Sequence, residues 1–158
     1  MKPKFIISKN DNDIIWTSPN EESLEFVLSK VIPSGSKYLF VNDNSNVDYD
    51  FFKSYEFDWN LETGNETTAI FNLEIAKEIH LEHIRKKRSK IFPELDIEFM
   101  IALENGNQSK IQEISIKKQA LRNITNINFS NVTTAAELKA TWPVELLAES
   151  PYKNNFNI

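Results

Sequence analysis

Residues 72–92 read NLEIAKEIHLEHIRKKRSKIF, and the spacing of their apolar side chains decides the fold class. Leu73, Ala76, Ile79 with His80, Ile84 and Ile91 recur three to four positions apart or at multiples of that step, which places them on one face of an α-helix. Asn72 stands where an N-cap belongs, with Glu74 and Lys77 in the first turns. The helix should run to about Lys90. Pro93 follows, and its ring removes a backbone donor and disfavours helix at Phe92, so a kink or break is expected there. A second helix then carries Leu95, Phe99, Ala102 and Leu103 and stops at Asn105-Gly106-Asn107 in the manner of a glycine C-cap. A third carries Ile111, Ile114, Lys118 and Leu121 on one face, flanked by Ile116, Ala120 and Ile124. The short connection makes the last two helices antiparallel neighbours.

Upstream of Asn72 the period changes. Phe5-Ile6-Ile7 and Ile14-Ile15-Trp16 are β-rich runs separated by the polar turn Asn10-Asp11-Asn12-Asp13. Ser18-Pro19-Asn20-Glu21-Glu22 reads as a helix start, followed by Leu24, Val27, Leu28 and Val31 at helical spacing. Pro33-Ser34-Gly35-Ser36 ends that helix, and Tyr38-Leu39-Phe40-Val41 reads as a strand buried on both faces. The segment Asn42–Asn46 is a loop, Asp48–Ser54 a short helix, and Tyr55–Trp59 a half-buried strand. Beyond the arm, a short helix should begin at Thr133 or Thr134 and stop near Trp142-Pro143, and the last residues should be mobile. The expected fold is therefore α+β: a small mixed or antiparallel sheet with a helix over residues 1–60, then a C-terminal helical hairpin or arm near 72–91, 94–104 and 108–124. As domains this is a small α/β head (1–68), a helical arm (69–125), and a short C-terminal helix and tail (126–158).

Composition excludes several classes of function. The 158 residues are 41% hydrophobic and 11% aromatic, enough for a real core. There is no cysteine, which removes disulfides, thiolate zinc sites and cysteine nucleophiles. No apolar run approaches the roughly 20 residues that span a bilayer, and Met1–Ser8 is too short in apolar residues for a signal-peptide core. A soluble, intracellular protein with no membrane partner is expected. The net charge of −5 is uneven: −6 over residues 1–68, +2 over 69–125 and −1 over 126–158. An acidic N-terminal half disfavours duplex nucleic acid as a partner.

Candidate chemistry is sparse. His80 and His83, flanked by Glu78 and Glu82, could share a helical face, but two histidines fall short of the three fixed ligands a metal needs. Arg85-Lys86-Lys87-Arg88 with Lys90 could grip phosphates, yet no aromatic residues are interleaved for base stacking. Five cations on a helix point in several directions, so a solvated or ion-paired face comes first and an acidic protein partner second. Glu94, Asp96 and Glu98 fall in the first turn of the expected second helix, where acids offset the dipole, rather than forming a catalytic pair. There is no Gly-x-Ser-x-Gly elbow, and three glycines do not make a phosphate-cradling loop. Trp16, Trp59 and Trp142 lie far apart, as core anchors do. Neither catalysis, cofactor, metal nor nucleic acid is expected.

Four stretches resemble a family of small phage proteins described as tail or tail-fibre assembly chaperones. They are Ile32-Pro33-Ser34-Gly35-Ser36-Lys37-Tyr38-Leu39-Phe40-Val41 and Phe51-Phe52-Lys53-Ser54-Tyr55-Glu56-Phe57-Asp58. The third runs from Ala76 through Ile84-Arg85 and Arg88 to Leu95-Asp96-Ile97-Glu98-Phe99, Ala102-Leu103-Glu104 and Lys118-Gln119-Ala120-Leu121-Arg122. The fourth is Thr133-Thr134-Ala135-Ala136-Glu137-Leu138-Lys139-Ala140-Thr141-Trp142-Pro143. The resemblance implies an accessory protein that binds a phage tail or tail-fibre protein in the host cytoplasm during assembly. The alternative is a structural component of the virion tail, an adaptor or decoration. A homo-oligomer stays open. On either reading the arm is the expected contact surface. Ile75, Leu81, Ile97, Ile101 and Ile116 lie off its packed stripe, and Arg85, Lys86, Lys87 and Arg88 supply steering charge towards an acidic or unfinished chain.

Overall fold

The computed structural model describes residues 5–10, 13–19, 23–42 and 46–152. The expected turn at 11–12, the residues 20–22 of the expected helix start, the loop residues 43–45 and the tail residues 153–158 lie outside them. The chain divides into two compact units, Met1–Asn72 and Leu73–Ile158.

In the first unit, β1 (Phe5–Asn10) pairs antiparallel with β2 (Asp13–Thr17) and with β3 (Tyr38–Val41). β4 (Tyr55–Glu56) and β6 (Ile70–Phe71) form a separate two-stranded ribbon. β5 (Glu66–Thr67) adds in parallel to β3, giving a mixed sheet of order β2-β1-β3-β5. The sheet thus reaches beyond residue 60, and Phe57–Trp59 is irregular rather than a continuation of the strand. Helix α1 (Leu24–Lys30) starts at Ser23, whose Oγ accepts from the Phe26 amide at 3.2 Å, five residues later than the Ser18-Pro19 signal. Strand alternation sends Ile6 towards Val27 and Ile32 on one face of the sheet. Phe5, Ile7, Leu39 and Val41 go to the other, with Val47 and Tyr55. Trp16 stacks on Phe52 at 4.7 Å and Trp59 packs against the same cluster, the anchoring role expected of both. Tyr38 and Phe40 are only half buried, so β3 is fully covered on one face and partly on the other. Asp48–Ser54 is indeed short and helical, as a 3₁₀ turn over Tyr49–Ser54.

The second unit is helical. α2 (Leu73–Glu104) runs as one helix through Pro93, where the sequence predicts a kink or break between two helices. Proline at that position costs the Ser89 carbonyl its partner, about 3 kcal/mol in an exposed helix. Packing on both sides of it offsets the loss. Ile84 and Leu95 are buried on the same stripe, and α3 (Gln108–Asn123) crosses from Asp96–Lys118 at 2.6 Å to Arg88–Leu121 at 3.4 Å. Ala76, His80, Ile84, Leu95 and Ala102 fill α2's inner stripe, and Ile114 and Leu121 fill that of α3, as their spacing indicates. Leu103, expected on the packed face, is exposed. Continuity also removes the helix start assigned to Glu94, Asp96 and Glu98. These are mid-helix acids, and Asp96 pairs with Lys118 instead of offsetting a dipole.

The hairpin turn is compact. Gly106 takes φ +63°, a left-handed conformation that costs glycine little. It lets the Asn107 and Gly106 amides reach the Ala102 and Leu103 carbonyls at 2.9 and 3.0 Å, a Schellman closure. Asn107 then caps α3 by accepting from the Lys110 amide at 3.0 Å. One residue ends one helix and starts the next.

α4 (Ala135–Ala140) begins at Thr134 with a reciprocal capping box to Glu137. Hydrogen bonds from the Thr133 backbone, the Thr133 hydroxyl and the Thr134 backbone hold the Glu137 carboxyl below the usual range. The chain stays packed past Trp142 as far as Tyr152. α5 (Val144–Leu147) follows, and Leu147 and Tyr152 are buried with Trp142. Among the described residues no helix is long and apolar enough to cross a membrane.

Candidate functional site

Two features of the second unit gather polar chemistry: a buried node at His80 and an open cleft one turn further along α2.

At the node, His80 is fully buried. Its Nδ1 lies 2.5 Å from the Tyr152 hydroxyl and its Nε2 lies 3.0 Å from Thr141 Oγ1. Thr141 has one hydroxyl proton and donates it to the Leu138 carbonyl at 2.7 Å. Thr141 must therefore accept at Nε2, which makes Nε2 the protonated nitrogen and leaves Nδ1 to accept from Tyr152. Rings close the shell: Tyr152 stacks on His80 at 5.5 Å, with Trp142 and Phe129 edge-on at 6.0 Å. Burial, and secondarily the charge of nearby His83, push the His80 pKa down to about 4. A neutral imidazole with both nitrogens engaged is a structural tie between α2 and the C-terminal segment. It has no lone pair to offer a metal, and His83, three residues on, lines the cleft instead.

The cleft encloses about 400 Å³ between α2 and the chain after α5. His83, Lys86, Lys87 and Lys90 line one side, and Trp142, Glu149, Ser150 and Pro151 the other. The four α2 residues stand at i, i+3, i+4 and i+7, a single helical stripe. The opposite wall depends on Ala148, which takes φ +59° and ψ −145°, a region other residues leave to glycine. Its amide bonds the Val144 carbonyl at 2.9 Å and its carbonyl accepts from Trp142 Nε1 at 3.2 Å. That over-determined turn aims Glu149–Pro151 at the lysines.

The four cations singled out in the sequence therefore part company. Lys86 and Lys87 enter the cleft. Arg88 turns to α3, where its Nη1 donates to the Leu121 and Arg122 carbonyls at 3.4 Å, capping that helix's C-terminus. Arg85 reaches Glu78 at 3.9 Å on another side of the helix. Sequence pattern alone does not mark Lys90, His83 or the wall residues as contact residues. The i, i+3, i+4, i+7 spacing is the available signal for the first two, which flank the Arg85–Arg88 run of cations.

Further along α2, Ile97 (62% exposed), Met100 (56%) and Ile101 (52%) form an apolar row. At roughly 100° per residue the row lies opposite the Leu95–Ala102 stripe that packs inward. It lies on the same side of α2 as the lysine stripe. Ile116 on the outer face of α3 is 64% exposed, and Ile75 is also exposed, whereas Leu81 is half buried. Comparison of the chain with protein-family models, curated proteins and solved structures finds no match.

Proposed function

We propose that the chain is an accessory protein of phage tail or tail-fibre assembly that works by binding another protein and carries out no catalysis. The observation that carries the reading is the Ile97–Met100–Ile101 row, three large apolar side chains more than half exposed on the side of α2 opposite its packed stripe. Burying such side chains is worth about 1.5–3 kcal/mol each, so a helix that leaves three of them in water has a reason to be covered by something else. The sequence resemblance supplies the kind of partner. The His80 node agrees with a non-catalytic role, since the buried imidazole spends both nitrogens on holding the C-terminal segment.

Co-expression with a phage tail-fibre protein as the proposed partner tests the proposal. The chain is expected to raise the soluble yield of the fibre protein and to co-purify with it. An indifferent yield and no co-purification would overturn the reading. Mass spectrometry of purified particles separates the helper, absent from them, from an adaptor or decoration present in fixed ratio.

A further inference from the structure

The lysine stripe and the apolar row are two halves of one strip. His83, Lys86, Lys87 and Lys90 continue along the same side of α2 into Ile97, Met100 and Ile101, over about 27 Å of helix, with the exposed Glu94 between the two halves. The first half is walled by the C-terminal segment and carries three lysines against one glutamate. The second half is open and apolar.

We infer that this strip is the docking site for an acidic amphipathic segment of a partner polypeptide, whose carboxylates seat in the lysine cleft and whose apolar side chains cover Ile97, Met100 and Ile101. The inference rests on the protein-binding reading above and adds to it the place and the chemistry of the contact.

Three observations select this occupant. Glu149 shares the cleft with the lysines, and Ser150 and Pro151 stand beside it. A peptide brings amide donors that Glu149 can accept together with carboxylates for the lysines, whereas a polyphosphate brings acceptors alone and leaves Glu149 without a donor. Trp142 is buried, its ring packed against Tyr152 and His80, so it offers no face on which a base could stack. A second copy of this chain, pairing row to row, would cover only three side chains on each partner. At about 60–120 Å² each that comes to roughly 600 Å², short of the ~1,000 Å² a stable interface needs. A segment that uses both row and cleft has no such shortfall.

The test is titration of the ¹⁵N-labelled full chain, at low salt, with a synthetic amphipathic helical peptide carrying leucines on one face of one half and glutamates on the same face of the other. Its controls are the same peptide with glutamine for glutamate, inorganic pyrophosphate, and a thymidine oligonucleotide. The acidic peptide should bind at least tenfold more tightly than its glutamine version, with amide shifts centred on residues 83–101 and 149–151. Lys86→Glu with Lys87→Glu, and separately Ile97→Ser with Ile101→Ser, should each weaken it about tenfold, while Arg85→Glu should not. If the double glutamate variant fails to fold, Lys86→Gln with Lys87→Gln takes its place. Equal binding of the glutamine peptide, equal or tighter binding of pyrophosphate or oligonucleotide, shifts elsewhere, or no binding would each overturn the inference. Peptide binding without any effect on fibre yield would sink the tail-assembly reading and leave this one standing. A rescued fibre yield without peptide binding would do the reverse.

Discussion

The His80 imidazole accepts a hydrogen bond from the Tyr152 hydroxyl at 2.5 Å, joining the N-terminal part of α2 to a residue 72 positions later. The ring stacking between the same two residues makes this contact the clasp that holds the chain after α5 against α2. Removing the hydroxyl with Tyr152→Phe leaves Nδ1 buried without its donor. A loss of about 1–3 kcal/mol is expected by urea denaturation. An unchanged midpoint would mean that stacking alone closes the clasp.

The node also fixes a dependence on pH. His80 has a folded-state pKa near 4 against an ordinary value of 6.5, so only the unfolded chain takes up this proton between those values. Stability from this group is therefore complete above pH 6.5 and declines as pH falls towards 4. Linkage puts the loss at about 2–3 kcal/mol by pH 4.5. Denaturation of the wild type and of His80→Gln at pH 7 and pH 4.5 isolates it, because the carboxylates titrate in both. The wild type should lose more on acidification, and equal losses would contradict the assignment.

Arg88 and Lys86 lie two residues apart and should answer mutation differently. Arg88→Ala uncaps the Leu121 and Arg122 carbonyls and should cost about 1 kcal/mol. Lys86→Ala should leave the thermal midpoint within error. If both are silent, the cap contributes nothing.

Pro93 sits inside a continuous helix at a position that wants a backbone donor. Pro93→Ala should restore a partner for the Ser89 carbonyl and raise stability by about 1–2 kcal/mol, after allowance for the entropy that proline removes from the unfolded chain. A destabilised variant would show that α2 needs proline's geometry there.

Legibility in the sequence followed the range of the forces involved. The inner stripes of α2 and α3, the Asn105-Gly106-Asn107 turn and the Thr134 cap rest on neighbours within one or two turns, and all were readable. β5 and β6, two residues each, exist because Gly64 and Asn65 pair with Tyr38 and Phe40, and Phe71 with Tyr55, across long stretches of chain. No local pattern announces them. Pro93 misled because its cost is local and the packing that offsets it comes from α3. Tyr152 looked like part of a tail because its partner, His80, is so distant in sequence. The cleft was half visible, as the spacing of His83, Lys86, Lys87 and Lys90. Its other wall depends on the turn at Ala148, an alanine in a conformation that sequence does not signal.

The central claim is that the exposed side of α2 engages another protein, and Ile97→Ser with Ile101→Ser tests it most directly. Neither residue belongs to the packed stripe, so the isolated variant should melt within about 2 °C of the wild type, no more than a change of about 1 kcal/mol produces in a chain of this length. Co-expressed with the tail-fibre protein that it is proposed to bind, it should give a several-fold lower soluble yield than the wild-type chain. Full fibre yield from a variant of unchanged stability would contradict the account.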